Sequence, residues 1–278
     1  MKKIQKTFIV GEEWLYYKIY CGVKTADTIL LELIKPVTEE LVSQKIIDQW
    51  FFIRYSDPEP HVRVRFHLID MNTIGSVLLK IKNLLKPYIT TKQIWNVQLA
   101  TYQRELERYG ANTIEKSELF FFYDSKIILS IITNSKDDET RFLNLFNWLE
   151  TLVSLFNFKD KKLLSFLDNM QEQFKNEFEI NKTIRKELST KYRRLESLLL
   201  NENGFNSLTK INLKELVKGF LRLENEQKLN ISLEDLLASF IHMSINRCFR
   251  SKQRLYEMML YDFLFRKNKS KFVRYGSL

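Results

Sequence analysis

Glycine and proline are scarce in this chain, seven and four among 278 residues. So few backbone breakers exclude a design of many short strands and tight turns, and favour long helices. Cysteine is nearly absent. Cys21 and Cys248 lie far apart, which leaves no paired-cysteine metal motif and fits a reduced, cytoplasmic setting. Three scattered histidines add no zinc pattern. There is no G-x-G-x-x-G, P-loop or G-x-S-x-G elbow, so the usual signatures of dinucleotide, nucleotide and α/β-hydrolase chemistry are missing. No stretch approaches the ~20 apolar residues of a membrane span. The opening MKKIQKTFIVGEEW is interrupted by Glu12 and Glu13 too soon to be a signal peptide. Neither a metal nor a cofactor is expected.

What is present is a globular composition, 45% hydrophobic and 28% charged, with a formal net charge of +10. That excess favours anionic partners such as tRNA, an acidic substrate or an acidic protein. The lysines are spread along the chain, so a solvated basic surface explains the charge equally well. Segments 13–20, 48–55, 60–69 and 94–103 have strand character, the middle two joined as a hairpin through SDPEP. Segments 24–46 and 72–86 have helical spacing, with Pro36 expected to start a second helix after a first one ends. After Gly110 helices are expected over about 112–134, 138–156, 160–178, 181–201, 212–228, 232–248 and 250–266, with breaks near NSKDD, NFKDKK and NENGFNS. The expected class is α+β. An antiparallel sheet in roughly the first 110 residues packs with a predominantly helical C-terminal part. Residues 1–278 are read as a single domain, with a sheet-rich lobe (1–110) and a helical lobe (111–278).

Three constellations could carry chemistry. PHVRVRFHL (60–68) alternates with period two, placing Val62, Val64, Phe66 and Leu68 on one side and His61, Arg63, Arg65 and His67 on the other. With Arg54 across the hairpin, Arg63 and Arg65 can grip one dianion, because a guanidinium binds carboxylate or phosphate through a planar fork. A solvated face, salt-bridged to a neighbouring strand, is the alternative. In TYQRELERYG (101–110) a strand runs into a helical turn closed by Gly110. Arg104 and Arg108 share one face there, and Glu105 and Tyr109 the next. They either complete an anion pocket with the hairpin or form an ordinary charged surface. In SLEDLLASFIHMSINR (232–247) Ser232 and Asp235 make a capping-box-like start, and the helix is apolar except for a stripe of Ser239, His242 and Asn246. His242 is either a satisfied core histidine or a proton-transfer group, with Asn246 one turn on to orient the ring and Arg247 following. The aromatic ELFFFYDS (118–125) reads as core.

In this order, FFIRYSDPEPHVRVRF, YQRELERYG followed by SELFFFYDS, and SFIHMSINR resemble one family from Trp14 to about Leu260. It is the C-terminal glutamate-elimination domain of lantibiotic (class I lanthipeptide) dehydratases, whose stand-alone versions are thiopeptide-type bacteriocin biosynthesis proteins. The resemblance implies a lyase that removes glutamate from glutamylated serine or threonine of a precursor peptide, leaving dehydroalanine or dehydrobutyrine. It implies that a separate glutamyl-tRNA-dependent protein attaches the glutamate, and that leader recognition lies on a partner. Arg63 and Arg65 match the arginines that elimination needs, as does one arginine of YQRELERYG, Arg104 in first place and Arg108 in second. His242 matches the essential histidine, its role as acid or base left open. Cationic donors aimed at the enolate-like charge of proton removal would lower the barrier. Two other readings stay open: a pyridine-forming [4+2] cycloaddition enzyme of thiopeptide biosynthesis, and a non-catalytic peptide- or tRNA-binding partner. Homodimer formation and direct tRNA contact also stay open.

Overall fold

The computed structural model describes residues 4–199 and 207–275. The alternating segments form an antiparallel sheet in the order β3 (Ile47–Ser56), β4 (Pro60–Leu68), β2 (Trp14–Cys21), β5 (Ile94–Ala100). A two-residue strand β1 (Thr7–Phe8) pairs with β6 (Tyr102–Gln103) in a separate ribbon. The segment expected as one strand over 94–103 therefore splits at Thr101, where the chain leaves β2 for β1. Between β2 and β3 run α1 (Val23–Thr28), a π turn (Ile29–Ile34) and α2 (Lys35–Ser43). Between β4 and β5 runs α3 (Ile74–Thr90). This is a β-α-β-β-α-β arrangement. Pro36 stands in the first turn of α2, as expected, but no break separates α2 from the π turn before it. Lys35 N–H donates to Leu30 O across the π turn, so the ladder widens just before the residue that has no N–H to offer.

The remaining elements are helical: α4 (Leu106–Tyr109), α5 (Ile114–Thr133), α6 (Asp138–Leu155), α7 (Asp160–Glu177), α8 (Lys182–Leu195), α9 (Ser207–Asn225), α10 (Leu233–Cys248) and α11 (Gln253–Tyr275). The molecule is thus α+β, with its strands between residues 7 and 103. The break expected at NENGFNS (201–207) lies, apart from Ser207, outside the described residues. Gly110 closes α4 at φ +75°, where a Cβ would meet Thr113 Oγ1 at 2.8 Å, so only glycine fits without strain.

Register decides which side chains share a face. Phe51 pairs with Arg65, Ile53 with Arg63, and Arg54 with Val62. Arg54 therefore projects on the Val62 side of the sheet, opposite Arg63 and Arg65. Val62, Val64, Phe66, Leu15, Tyr17, Ile19, Trp50 and Phe52 make a fully buried face under the helical crossovers. The other face is not open to water either. His61 and Arg65 are buried, and Arg63 and His67 half-buried: Tyr102 and Phe121 pack on Phe51 beside Arg65, while Tyr20 and Tyr55 pack on His61 and Tyr55 on Arg63.

β3 is an edge strand, and an unpaired edge invites foreign pairing. Here side chains of α5 and α10 occupy it. Phe52 N–H donates to Ser125 Oγ (3.3 Å), and Phe52 O accepts from Arg247 Nε (2.7 Å). Arg54 N–H donates to Asn246 Oδ1, and Arg54 O accepts from Asn246 Nδ2, both at 3.0 Å. One carboxamide thus stands in for a neighbouring strand and locks α10 against the hairpin.

Candidate active site

The α10 helix starts where Ser232 Oγ accepts from Asp235 N–H (3.1 Å), satisfying one of its orphan donors. Leu233, Leu236, Leu237, Phe240, Ile241 and Ile245 are all buried, which fixes the helix rotation and leaves the Ser239–His242–Asn246 stripe facing β3 and α11. Asn246 is spent on Arg54, so it does not orient His242 as the sequence suggests. The ring is held from α11. His242 Nδ1 lies 3.0 Å from Glu257 Oε2 and 3.3 Å from Oε1, and Glu257 is buried. A carboxylate accepts, so Nδ1 is the donor to Glu257, and it is the neutral tautomer of this arrangement that presents a lone pair on Nε2. Nε2 has no partner among the described residues, and the side chain is 32% exposed.

His242 lines two adjoining cavities. The smaller, about 300 Å³, is also lined by Arg108, Ser239, Arg254, Glu177 and Glu257. Arg108 Nε donates to Ser239 Oγ (3.1 Å), one turn before His242 on the same stripe. The larger, about 560 Å³, is also lined by Arg54, Tyr55, His61, Asn246 and Arg250. Arg63 reaches its wall indirectly: its guanidinium stacks 3.4 Å from the Tyr55 ring centroid and its Nε donates to His61 Nε2 (3.0 Å).

Arg65 is buried in an aromatic box of Tyr16, Tyr102 and Phe51, at 4.3, 4.8 and 5.1 Å from the ring centroids. It meets no carboxylate among the described residues, and its Nε is unpartnered. A buried cation without a counter-ion is costly, and ring faces hold this one in place of a carboxylate. It lines a narrow crevice with Glu105, Tyr109, Met243 and Arg247, on the next residue of α10 after His242. Arg104 stands apart. Its Nε and Nη2 donate to Glu118 Oε1 (2.7 Å) and Oε2 (2.6 Å), both residues buried, and Tyr102 Oη donates to Glu118 Oε1 (2.7 Å). Arg247 is fully buried on Asp124, and Arg54 on Asp27.

Thus His242, Arg108, Arg54 and Asn246 share cavity walls, Arg63 supports one of those walls, and Arg65, Glu105, Tyr109 and Arg247 line the neighbouring crevice. Glu257, Arg250 and Arg254 were not read from the sequence. The only cue is their spacing on one side of the α10–α11 junction, and that means little until α11 is known to pack on α10.

His61 has a falsifiable pH signature. Burial pushes its pKa below the usual 6.5, and Arg63 adds to this against the pull of the Glu59 carbonyl. Its Nε2 accepts from Arg63, so it must stay unprotonated. A depressed folded pKa means the unfolded chain binds the proton more readily, so His61 stabilises fully above about pH 6.5 and less as pH falls below it. Urea denaturation of wild type against His61→Gln between pH 5 and 8 should show the difference shrinking on acidification. A constant difference would contradict this.

The C-terminal family of lantibiotic biosynthesis dehydratases matches residues 14–268, and the chain belongs to that family. "Nisin biosynthesis protein NisB" of Lactococcus lactis subsp. lactis is 30% identical over 255 residues, 87% of this chain and 24% of that protein. The chain therefore spans about a quarter of the curated relatives it matches. The crystal structure of the tRNA-dependent lantibiotic dehydratase MibB from Microbispora sp. 107891 is similar with a TM-score of 0.73 at 20% identity, covering 96% of this chain and 29% of that one. TbtD, the pyridine synthase from thiomuracin biosynthesis, is similar with a TM-score of 0.64 at 9% identity, covering 93% of this chain and all of that one. Family membership supports an enzymatic, dehydratase-family role in lantibiotic biosynthesis. No helix among the described residues is long and apolar enough to cross a membrane.

Proposed function

We propose that this chain is a glutamate-eliminating lyase acting on serine or threonine residues that have been glutamylated from glutamyl-tRNA. The observation that carries the proposal is His242, with Nδ1 held by buried Glu257 and Nε2 free between two arginine-lined cavities. Nε2 takes the α-proton of the glutamylated residue. The C–H electrons form the Cα–Cβ double bond, the Cβ–O ester bond breaks, and glutamate leaves as a carboxylate. Glu257 stabilises the imidazolium that results, as a carboxylate behind a catalytic histidine does. Arg108 and Arg65 are free of strong counter-ions and supply positive charge to the enolate-like carbonyl and the departing carboxylate.

Arg104 acts in this scheme as a positioning residue. Through Glu118 it holds Tyr102, a wall of the Arg65 box. Arg108→Ala should therefore keep wild-type stability and lose most turnover. Arg104→Ala should cost about 3–5 kcal/mol of stability by leaving Glu118 buried and unpaired. Urea denaturation and single-turnover assays on both variants check this. Equal stability loss in the two would remove the distinction.

The alternative with an observation in its favour is pyridine formation, since TbtD, as a whole chain, is covered by the likeness. A peptide with Cα-deuterated glutamyl-serine separates the readings. Elimination loses the deuterium with a primary isotope effect and yields dehydroalanine. Hydrolysis returns serine with the deuterium retained, and a cycloaddition enzyme leaves the ester untouched. Either of the last two results would overturn the proposal.

A further inference from the structure

The carboxylate behind His242 is shared. Glu257 Oε2 lies 3.0 Å from His242 Nδ1 and also accepts from Arg254 Nη1 at 3.2 Å. The Glu257 side chain is 3% exposed, so its charge acts on both neighbours with little screening. One oxygen thus stands between an imidazole that becomes positive on taking a proton and a guanidinium that is positive throughout.

Arg254 stands in the first turn of α11 and is held from α7. Its Nε donates to Glu177 Oε1 (3.3 Å), its Nη2 donates to Glu177 Oε2, and its guanidinium lies 4.3 Å from the Phe174 ring centroid. α7 is itself fixed on α11. Lys175 pairs with buried Asp262 (2.7 Å), and Phe174 stacks on Tyr261 (5.6 Å). Each nitrogen of Arg254 already meets a carboxylate, so this arginine has no free fork to offer a ligand. The other charged or titratable groups around His242 come from separate elements: Glu177 from α7, Arg108 from α4, Arg54, Asp57 and His61 from the hairpin, and Arg250 and Lys252 from the α10–α11 connection. Among the described residues, only His242 and Arg254 bond to the Glu257 carboxylate.

We propose that Arg254 is a positioning residue that sets how strongly Glu257 favours the protonated ring of His242. This deepens the elimination reading and rests on it for the need of a neutral, proton-accepting ring. With Arg254 beside it, Glu257 still orients Nδ1–H, but part of its charge is offset. The ring then sheds its second proton at lower pH and keeps Nε2 able to accept. Without Arg254 the whole carboxylate charge is turned on His242, and the imidazolium persists to higher pH. The clamp on Glu177 gives the arginine a fixed distance from Glu257, so the offset does not depend on a wandering side chain.

The test follows the proton on His242 in two ways. One is the acid limb of the kcat–pH profile for glutamate release from a pre-glutamylated peptide. The other is the NMR titration of the His242 ring without substrate, assigned by the signal that His242→Gln removes. Both are measured for wild type, Arg254→Met, Arg254→Lys and Glu177→Gln. Methionine keeps an apolar stem over Phe174, so the fold should persist. Arg254→Met should move both midpoints up by about 0.5 pH unit, the size of a charge pair partly open to solvent. Arg254→Lys returns a charge beside Glu257 and should move them back towards wild type. Glu177→Gln weakens the clamp from α7 but leaves the guanidinium free to close on Glu257, so its midpoints should not rise. If Arg254 merely ties α7 to α11, Arg254→Met and Glu177→Gln will behave alike. That result, or unmoved midpoints in Arg254→Met, overturns the proposal. A raised NMR midpoint in Arg254→Met, with no glutamate released by wild type, would keep the link from Arg254 to His242 and reject elimination.

Discussion

Alanine in place of His242 is expected to stall the reaction with the glutamylated peptide intact. Removing a proton-transfer group commonly costs about 10²–10⁴-fold in rate, and His61, the other histidine lining these cavities, is committed to Arg63 and the Glu59 carbonyl. The fold should survive, because the His242 side chain is 32% exposed and packs no core. Binding of the glutamylated peptide should also survive, because arginines supply the charge. Glu257→Gln should give a smaller loss, since the amide oxygen still accepts from Nδ1–H but no longer balances an imidazolium. Single-turnover release of glutamate from a pre-glutamylated peptide, followed with each folded variant, reads these effects. A His242→Ala protein that works at the wild-type rate would return the residue to a packing role.

A stability loss as large as that at Arg104 is expected at Arg247. It is fully buried, donates Nη1 to Asp124 Oδ2 at 2.8 Å and Nε to Phe52 O at 2.7 Å. Asp124 is also fully buried and accepts from Trp148 Nε1 and Ser244 Oγ on one oxygen. Arg247→Met therefore leaves a buried carboxylate without its counter-ion and an edge-strand carbonyl without a donor. Breaking a buried pair from one side costs about 3–5 kcal/mol. Combining it with Asp124→Leu should cost less than the two single changes added, because no lone charge remains. Urea unfolding of the singles and the double checks both statements. A single-variant loss within about 0.5 kcal/mol, the range of neutral surface changes, would contradict the assignment of Arg247 as a structural pin.

Local periodicity exposed most of the fold. The 60–68 alternation, the SDPEP turn, the Gly110 stop and the Ser232 cap are all near-neighbour effects, and each appears where its residues place it. What was not legible depends on contacts across the chain. The pairing register across the hairpin places Arg54 on the face opposite Arg63 and Arg65. Asn246 is one helical turn from His242, yet it serves an edge strand 192 residues away, and no sequence spacing signals that. The two arginines of YQRELERYG look equivalent by spacing, but only tertiary packing puts Glu118 under Arg104 and leaves Arg108 beside Ser239. Glu257 belongs to a helix whose docking on α10 had to be seen.

Mass spectrometry of one peptide, glutamylated at a single serine and incubated with the wild-type chain alone, tests the central claim most directly. The account predicts free glutamate and a dehydroalanine-containing peptide, with no tRNA or glutamylating protein added. Unchanged glutamyl peptide, or serine regenerated by hydrolysis, would contradict it.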